Sequence, residues 1–284
     1  MNHETAALLE KHFDTAFAAS DGIKKLRELI LTLAMQGKLV PQDPTDRPAS
    51  ELLKAIEAEK NRLVKECTIK KTKPLPDIKQ EETPYALPEV WEWTHLNDVL
   101  DVRDGTHDTP KYVDMGYPLI TSKNLYTGTL SFENVKFISE EDHKKISDRS
   151  KVNVGDILFA MIGSIGNPVI VNHNEEFSIK NIALFKFHLI GKPNNRYAHY
   201  FLTYAQESMK AESSGAVQSF VSLGFLRNYL FPLPPLEEQH RIVAEIDRLM
   251  ARCDELEKLR TDRNQKRTTV HTAAIDRLLK AQDD

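Results

Sequence analysis

One uninterrupted stretch of sequence places the strongest constraint on the fold. From Leu236 to Asp284 there is neither proline nor glycine, the two residues that most disfavour a helix interior. Apolar residues recur within this stretch in steps of four and three, which is the heptad pattern of a helix that packs against another helix. We call these residues the heptad seam: Ile242, Ile246, Leu249, Cys253 and Leu256.

This helix is too long to serve only the core of a small domain. Residues 237–280 would extend about 66 Å at about 1.5 Å per residue. The seam therefore needs a partner helix: the N-terminal segment of the same chain, the equivalent helix of a second copy, or both. Arg260, Arg263 and Arg267 occupy the next heptad positions, and we expect this polar stretch to face solvent or a partner protein.

Residues 1–69 predict a helical N-terminal segment. Ile23, Leu26, Ile30 and Leu33 share one helix face, with Asp21 as the expected N-cap and Gly37 as the stop. A second helix is expected from Ser50 onward, with Ser50 as its N-cap. Residues 70–84 are charged and contain several prolines, which favours an extended linker. The alternative is a structured arm that Leu75 and Ile78 anchor on another domain.

Residues 85–235 predict one globular domain, because short β-rich runs alternate with turn residues. The expected strands are Pro118–Thr121, Lys136–Ile138, Asp156–Ile162, Pro168–Val171 and Ile182–Leu189. One helix is expected near Asn195–Ser208. With residues 236–284 as the long helix, the predicted fold class is α+β: a globular α/β domain, a long helix and a helical N-terminal segment.

Composition excludes several other classes of protein. The chain is 40% hydrophobic and 28% charged, which is globular composition, and it has no apolar run of the roughly 20 residues that a membrane helix needs. No signal-peptide pattern opens the chain. Two distant cysteines, Cys67 and Cys253, provide no disulfide framework and fit a reducing cytoplasm, where we expect the protein to be found.

Catalytic motifs are not recognisable in the sequence. It contains no GxxxxGK[ST] phosphate loop, and Gly163-Ser-Ile-Gly166 is better explained as a tight turn between strands than as a methyl-donor site. Asn167-Pro-Val-Ile170 has only the first two residues of an adenine-methylation motif. His107 lies near Asp104 and Asp108, but a solvated loop explains them better than a metal site. We therefore expect no catalytic residue, no metal and no cofactor on this chain.

Three stretches together carry a resemblance to a known family. The first runs from Ile23 to Val40 and continues through Pro41-Gln-Asp-Pro44 to Leu53. The second is Leu87-Pro-Glu-Val-Trp-Glu-Trp93, and the third is Pro232-Leu-Pro-Pro-Leu-Glu-Glu-Gln-His-Arg-Ile-Val243. In this order they resemble the DNA-specificity subunit of type I restriction–modification systems, and the resemblance covers essentially the whole chain.

The resemblance implies a division of labour between subunits. A specificity subunit is not catalytic: its target-recognition domains read double-stranded DNA, and long helices separate these domains. Modification subunits dock on the helices and methylate adenine with S-adenosylmethionine, while the restriction subunit, which associates indirectly, uses ATP. Both cofactors would then bind only to partner subunits.

The sequence departs from the family pattern in its size. A usual subunit has two recognition domains and two spacer helices, whereas this chain has one of each. It is expected to be either a natural half-size subunit or the N-terminal half of a longer chain. Ala273–Asp284 contains no capping glycine or proline, which favours a chain that continues. In either case, homodimerisation through antiparallel helices could restore two domains.

Local charge and hydrogen-bonding capacity indicate which residues of the predicted recognition domain could contact DNA. The candidates for phosphate contact are Lys111, Lys123, Lys144, Lys145, Arg149 and Lys151, and those for base contact are Thr106, His107, Ser122, Asn124, Lys180, Ser214 and Gln218. Lys123 is a candidate for base contact as well. Residues 84–235 hold 14 basic and 17 acidic side chains. This acidity favours the alternative of a non-catalytic helical scaffold that binds protein partners, whereas the family resemblance favours DNA recognition.

Overall fold

Helices and short strands alternate through the computed structural model, which describes residues 19, 21–71, 73–187, 194–213 and 220–280. The helices are α1 (Gly22–Met35), α2 (Ala49–Lys65), α3 (Leu96–Val99), α4 (Glu140–Ser150), α5 (Asn195–Ser213), α6 (Leu223–Asn228) and α7 (Leu236–Lys280). The strands are β1 (Glu92–His95), β2 (Asp101–Asp104), β3 (Tyr112–Val113), β4 (Tyr117–Ile120), β5 (Lys136–Ile138), β6 (Ile157–Ala160), β7 (Gly166–Ile170), β8 (Ser178–Ile179), β9 (Ile182–Lys186) and β10 (Leu230–Leu233).

The strands form three sheets. The central sheet has the order β2-β9-β6-β7, and all of its neighbours are antiparallel. A second sheet has the order β3-β5-β4-β8, in which β4 and β8 run parallel. The first and last strands of the domain, β1 and β10, pair with each other and place Glu92 opposite Leu233. This pairing brings the start of the domain next to the start of α7.

One hydrophobic core extends across the predicted segments. It includes Ile30 and Met35 from α1, Phe159 and Phe185 from the central sheet, and Ile246 from α7. A smaller core lies between the two four-stranded sheets and includes buried residues of β4, β6 and β9. Burying each large apolar side chain contributes roughly 1.5–3 kcal/mol. The N-terminal helices and the first turns of the long helix thus stabilise the same unit as the sheets.

The observed secondary structure agrees with the prediction from the sequence where the apolar periodicity is strong. The predicted fold class is confirmed as α+β with a long C-terminal helix, and Gly37 ends α1 with φ of +65°. Of the two predicted N-caps, one is at the expected residue. Asp21 is the N-cap of α1, although its side chain makes no capping hydrogen bond. The other prediction is wrong: α2 begins at Ala49 with Pro48 as its N-cap, so Ser50 lies inside the helix.

Helix α4 is an element that the sequence interpretation missed. The charge run Glu140-Glu141-Asp142 predicts a solvated surface, and Glu140 and Glu141 are exposed. The run does not indicate that these residues form the first turn of α4, where carboxylates are favourable. The Ser139 side chain caps this helix by accepting a hydrogen bond from the Asp142 N–H at 3.2 Å.

Residues between the N-terminal helices and β1 contact the domain rather than passing by it. The carbonyl oxygen of Pro76 lies 3.0 Å from His95 Nε2, and Trp93 Nε1 donates to the carbonyl of Tyr85 at 3.3 Å. Leu75 and Ile78 are both partly buried. These contacts favour the structured arm over a free extended linker.

Candidate nucleic-acid interface

Segments that are far apart in the sequence meet at one edge of the domain. Strands β4 and β8 pair Leu119 with Ser178 and Ile120 with Ile179. The Lys180 N–H continues the pairing by donating to the Ile120 carbonyl at 2.9 Å. The residues that follow β4 and those that follow β8 therefore leave the sheet side by side.

The loop after β2 joins the same edge. The Thr106 N–H donates to the Ile179 carbonyl at 3.0 Å, and the Asn181 N–H donates to the Thr106 carbonyl at 3.1 Å. Gly105 makes this approach possible, since a Cβ atom there would lie only 2.1 Å from the Ile179 oxygen. We call residues 104–111, 121–124 and 180–181 the loop edge.

Asp104 organises the centre of the loop edge. The residue is only 3% exposed. Its Oδ2 lies 2.8 Å from His107 Nε2, and its Oδ1 forms an ion pair with the Arg149 guanidinium. His107 Nδ1 lies 2.9 Å from Asn181 Oδ1. One buried carboxylate thus positions two candidate DNA-contact side chains, one from the loop and one from α4.

Lys180 lies across the loop that follows β2. Its ammonium group donates to the Thr109 hydroxyl, and the Thr106 hydroxyl donates to the Asp108 carbonyl at 3.4 Å. Lys111 is exposed just before β3. The loop therefore presents hydroxyl groups and ammonium groups together at the surface.

Asn124 has a different role from the one expected. Its Oδ1 accepts from the Thr121 N–H at 3.0 Å, and its Nδ2 donates to the Ser131 carbonyl at 3.0 Å. The side chain is buried, so its amide closes the loop instead of facing outward. This correction removes Asn124 from the base-contact candidates, while the partly buried Ser122 and the exposed Lys123 remain.

Contacts on its buried face hold α4 beside the loop edge. The His143 ring stacks on Tyr117, with centroids 3.9 Å apart and planes 2° apart, and its Nδ1 lies 3.0 Å from the Ser178 hydroxyl. Burial lowers the pKa of His143, so the ring is neutral at pH 7. Lys145 is exposed four residues before Arg149, so both lie on the same helix face.

Three of the predicted basic residues on or next to α4 have acidic partners. Lys144 forms an ion pair with Glu140 at 2.7 Å, and Lys151 Nζ lies 3.7 Å from a Glu176 carboxylate oxygen. Exposed pairs of this kind contribute little to stability, and the carboxylate offsets the lysine charge. Arg149 is paired as well, with the buried Asp104, but its side chain stays exposed. Lys145 forms no ion pair among the described residues, so it is the strongest candidate for phosphate contact on α4, followed by Arg149.

Two base-contact candidates remain. Ser214 and Gln218 lie outside the residues that the structure describes. The sequence favours a core position for Phe220 over stacking on a base, but the side chain is 42% exposed, so the core prediction is wrong. Across the described ranges, no group of three or more His, Cys, Asp or Glu side chains is arranged to hold a metal ion.

The loop edge combines the groups that direct readout of DNA requires. Lysine and arginine side chains suit phosphates, while hydroxyl, amide and imidazole groups suit base edges. The sequence interpretation did not foresee that Asp104 pairs with Arg149, which lies 45 residues further along the chain. The Asp-x-x-His spacing from Asp104 to His107 was the one local signal of this network.

A second functional region is the start of α7. Glu238 is fully buried, and it accepts hydrogen bonds from Trp91 Nε1 at 2.9 Å and Gln42 Nε2 at 2.6 Å. Burial raises the pKa of Glu238. Arg241 forms a bidentate ion pair with Asp46, with distances of 3.0 and 2.5 Å. Residues from all three stretches that carry the family resemblance thus fix the origin of the helix.

The heptad seam packs inside the chain. Ile242, Ile246 and Cys253 are buried, while Leu249 and Leu256 pack against the same core with partial exposure. Helix α1 lies alongside, and its Arg27 bonds to Asp254 at 2.7 Å and to Glu257 at 3.0 Å. Of the partners considered for the seam, the N-terminal segment of the same chain is therefore confirmed.

The distal part of α7 extends beyond this contact. All residues from 261 to 275 are exposed, and Leu259 and Val270 are 60% and 65% exposed. Because Leu259 and Val270 are eleven residues apart, or close to three turns, they lie on the same face of the helix. The fold is therefore a globular unit carried at one end of a long, largely exposed helix.

Comparison with known proteins identifies the family of this chain. Residues 88–264 match the family model of the type I restriction modification DNA specificity domain, and the chain belongs to that family. It is 34% identical to the Escherichia coli type I restriction enzyme EcoAI specificity subunit over 95% of this chain and 46% of that protein. The EcoEI specificity subunit from Escherichia coli is 36% identical over 84% of this chain and 41% of that protein. The chain thus spans about half the length of these relatives.

A solved structure supports the same fold. The chain aligns with a TM-score of 0.54 and 20% identity to a chain from a structure describing complex assembly and conformational transition of the type I restriction–modification system. The alignment covers 80% of this chain and 54% of the other. Separately, none of the described helices is long and apolar enough to cross a membrane.

Proposed function

We propose that this chain is a non-catalytic DNA-recognition subunit, or one half of such a subunit, in a type I restriction–modification complex. Its globular domain reads one half of a bipartite double-stranded target through the loop edge. The observation that carries this proposal is the convergence of three polar loops beside the exposed Lys145 and Arg149 of α4, within a chain of the specificity-subunit family.

In the proposed mode of binding, one set of residues positions the domain on the DNA backbone and another set reads the bases. Lys123, Lys145 and Arg149 contact phosphates, and this part of the affinity falls as salt concentration rises. Thr106, His107, Ser122 and Lys180 reach the base edges, where a good side-chain pair discriminates by about 1–3 kcal/mol. Asp104 is a positioning residue, since it holds His107 and Arg149 in place without facing solvent itself.

The distal part of α7 is the proposed assembly element. Its exposed apolar residues and arginine-rich surface would dock modification subunits or pair with the equivalent helix of a second recognition domain, in a homodimer or a longer chain. S-adenosylmethionine would bind to the modification subunit, and ATP to a restriction subunit that joins the complex indirectly.

The division of labour can be tested by reconstitution. The purified chain is titrated with S-adenosylmethionine by calorimetry and then mixed with the modification subunit of a type I system and duplex DNA. We expect no heat of binding from the chain alone, and adenine methylation only when both proteins are present. Binding of S-adenosylmethionine by the chain alone, or methylation that is independent of the chain, would contradict the proposal.

The acidity of the domain is the observation that favours a protein scaffold as the second candidate function. Residues 84–235 carry three more acidic than basic side chains. A scaffold would bind its protein partners through the exposed helix and would retain no particular DNA sequence. Sequence-selective retention of DNA therefore separates the two functions.

A further inference from the structure

An aromatic pocket lies between β1, α5 and α6, away from the residues of the loop edge. Its volume is about 790 Å³, within the range of about 300–1,000 Å³ that is typical of binding pockets. Six aromatic side chains line it: Tyr85, Trp93, Phe201, Tyr204, Phe225 and Tyr229. Five of these are only partly buried, and Phe201 is buried. Such a concentration of partly exposed rings on one concave surface suits a ligand with an affinity for π systems.

Neighbouring rings hold the walls of the pocket in place. Tyr85 and Trp93 have centroids 5.0 Å apart with their planes tilted by 59°, and Phe225 and Tyr229 have centroids 5.4 Å apart. Burial raises the pKa of Tyr85 and Tyr229. Their phenol groups are therefore neutral at pH 7, and the pocket provides ring faces and hydroxyl groups without phenolate charge.

Two carboxylates give the pocket its charge. Glu82 and Glu212 line it, and none of the described lining residues is a lysine or an arginine. Glu82 Oε2 accepts a hydrogen bond from the Lys79 N–H at 3.3 Å, and Glu212 Oε1 accepts one from the Ser208 hydroxyl at 3.2 Å. Both of these donors are neutral groups, so these hydrogen bonds do not cancel the negative charge.

We propose that this pocket binds an arginine side chain from a protein partner. A guanidinium group stacks on aromatic faces by cation–π attraction and also pairs with carboxylates, so it matches both features of the pocket. The volume leaves room for an apolar neighbour of that arginine. A nucleic acid fits less well, because its phosphates would meet two like charges at Glu82 and Glu212.

The proposal is independent of DNA recognition. None of the residues lining the pocket belongs to the loop edge or to α4. Loss of arginine binding would therefore leave DNA retention unchanged. If the pocket binds no arginine, the proposal of DNA recognition at the loop edge is not affected, and the reverse also holds.

Trp93 gives a direct signal for a binding test. The chain has two tryptophans, of which Trp93 lines the pocket and Trp91 is buried against Glu238. The full chain is labelled with ¹⁵N-tryptophan and titrated with the peptide acetyl-Leu-Arg-Leu-amide while both indole N–H signals are followed. The matched probe replaces arginine with citrulline, which keeps the shape and removes the charge. Trp93→Phe assigns the two signals.

We expect a saturable shift of the Trp93 signal, with the Trp91 signal unchanged. Binding should be about fivefold weaker for the citrulline peptide and for the double variant Glu82→Gln with Glu212→Gln. The control variant, Glu81→Gln with Glu207→Gln, alters two nearby exposed glutamates outside the pocket lining and should bind like the unmodified chain. No shift at millimolar peptide, equal binding of the citrulline peptide, or a larger Trp93 shift with duplex DNA would overturn the proposal.

Discussion

Trp91 and Glu238 are 147 residues apart in the sequence, yet the indole Nε1 donates a hydrogen bond to the buried carboxylate at 2.9 Å. Gln42 donates to the other carboxylate oxygen at 2.6 Å. The N-terminal segment, the residue just before the first strand of the recognition domain and the long helix therefore meet at one side chain. This contact fixes the direction in which the helix leaves the domain.

Removing either partner should destabilise the fold in a coupled manner. We expect Trp91→Phe and Glu238→Gln each to lower the free energy of unfolding by about 1–3 kcal/mol, because each leaves a buried polar group with an incomplete set of partners. The double variant should lose less than the sum of the two. Urea denaturation followed by circular dichroism measures all four proteins. Strictly additive losses would mean that the hydrogen bond contributes nothing to stability.

Asp104→Asn tests the positioning role at the loop edge. The variant keeps the size of the side chain and removes the charge that pairs with Arg149, so His107 and Arg149 should lose their fixed orientation. We expect discrimination between specific and random duplexes to fall by about 1–3 kcal/mol, measured by fluorescence anisotropy. Asp108→Asn, at an exposed position of the same loop, is the matched control. Equal losses in the two variants would remove Asp104 from the site.

Lys60 should give the folded protein a distinctive pH dependence. Its ammonium group donates to the carbonyls of Asn97 and Leu100, and burial lowers its pKa to about 8 although Asp101 and Asp98 favour the charged form. The unfolded chain, with a lysine pKa of about 10.4, binds more protons than the folded chain between these values. The free energy of unfolding should therefore gain roughly 1–3 kcal/mol from this group as pH rises from about 8 to about 10.4.

The difference between two variants isolates this contribution from other titrating groups. Lys60→Met should lose the rise in stability above pH 8, whereas Lys54→Met, at an exposed position of the same helix, should keep it. Urea midpoints across this pH range provide the measurement. An unchanged rise in Lys60→Met would show that Lys60 titrates normally in the folded state.

The distal helix provides a test of assembly that does not disturb the core. Charge at Ile246 and Leu249 would damage the chain's own packing, whereas Leu259 and Val270 are exposed. We expect Leu259→Glu with Val270→Glu to abolish helix pairing or docking of the modification subunit, measured by light scattering and by pull-down. Thr261→Glu with Thr268→Glu adds the same charge on the opposite face and should have no effect. Loss of assembly in both variants would argue against an apolar contact through this face.

The sequence predicts the elements in which apolar residues recur at a regular local spacing. The heptad spacing of Ile242, Ile246 and Cys253 indicates a helix because burial along one face requires that spacing, and the structure buries all three. Helix α4 was not predicted, because the Ser139 side chain was not recognised as the N-cap of the charged residues that follow it. The pairing of β1 with β10 joins strands more than 130 residues apart, and no local pattern encodes it.

The candidate site could be predicted only by residue type. Thr106, Ser122 and Lys180 lie in polar loops that the sequence makes visible, but their proximity depends on the parallel pairing of β4 with β8. The inward-facing amide of Asn124 depends on Ser131, a neighbour seven residues away across a folded loop. Side-chain direction in a loop is set by such contacts, which composition and spacing do not reveal.

The central claim is that the loop edge reads a DNA sequence, and selection from a randomised duplex pool tests it most directly. The chain is immobilised, retained duplexes are sequenced over successive rounds, and Asp104→Asn is carried through in parallel. We expect enrichment of one short motif by the unmodified chain, with weaker enrichment by the variant at the same salt concentration. Retention of unselected sequence by a folded chain, or no retention at any salt concentration, would contradict it.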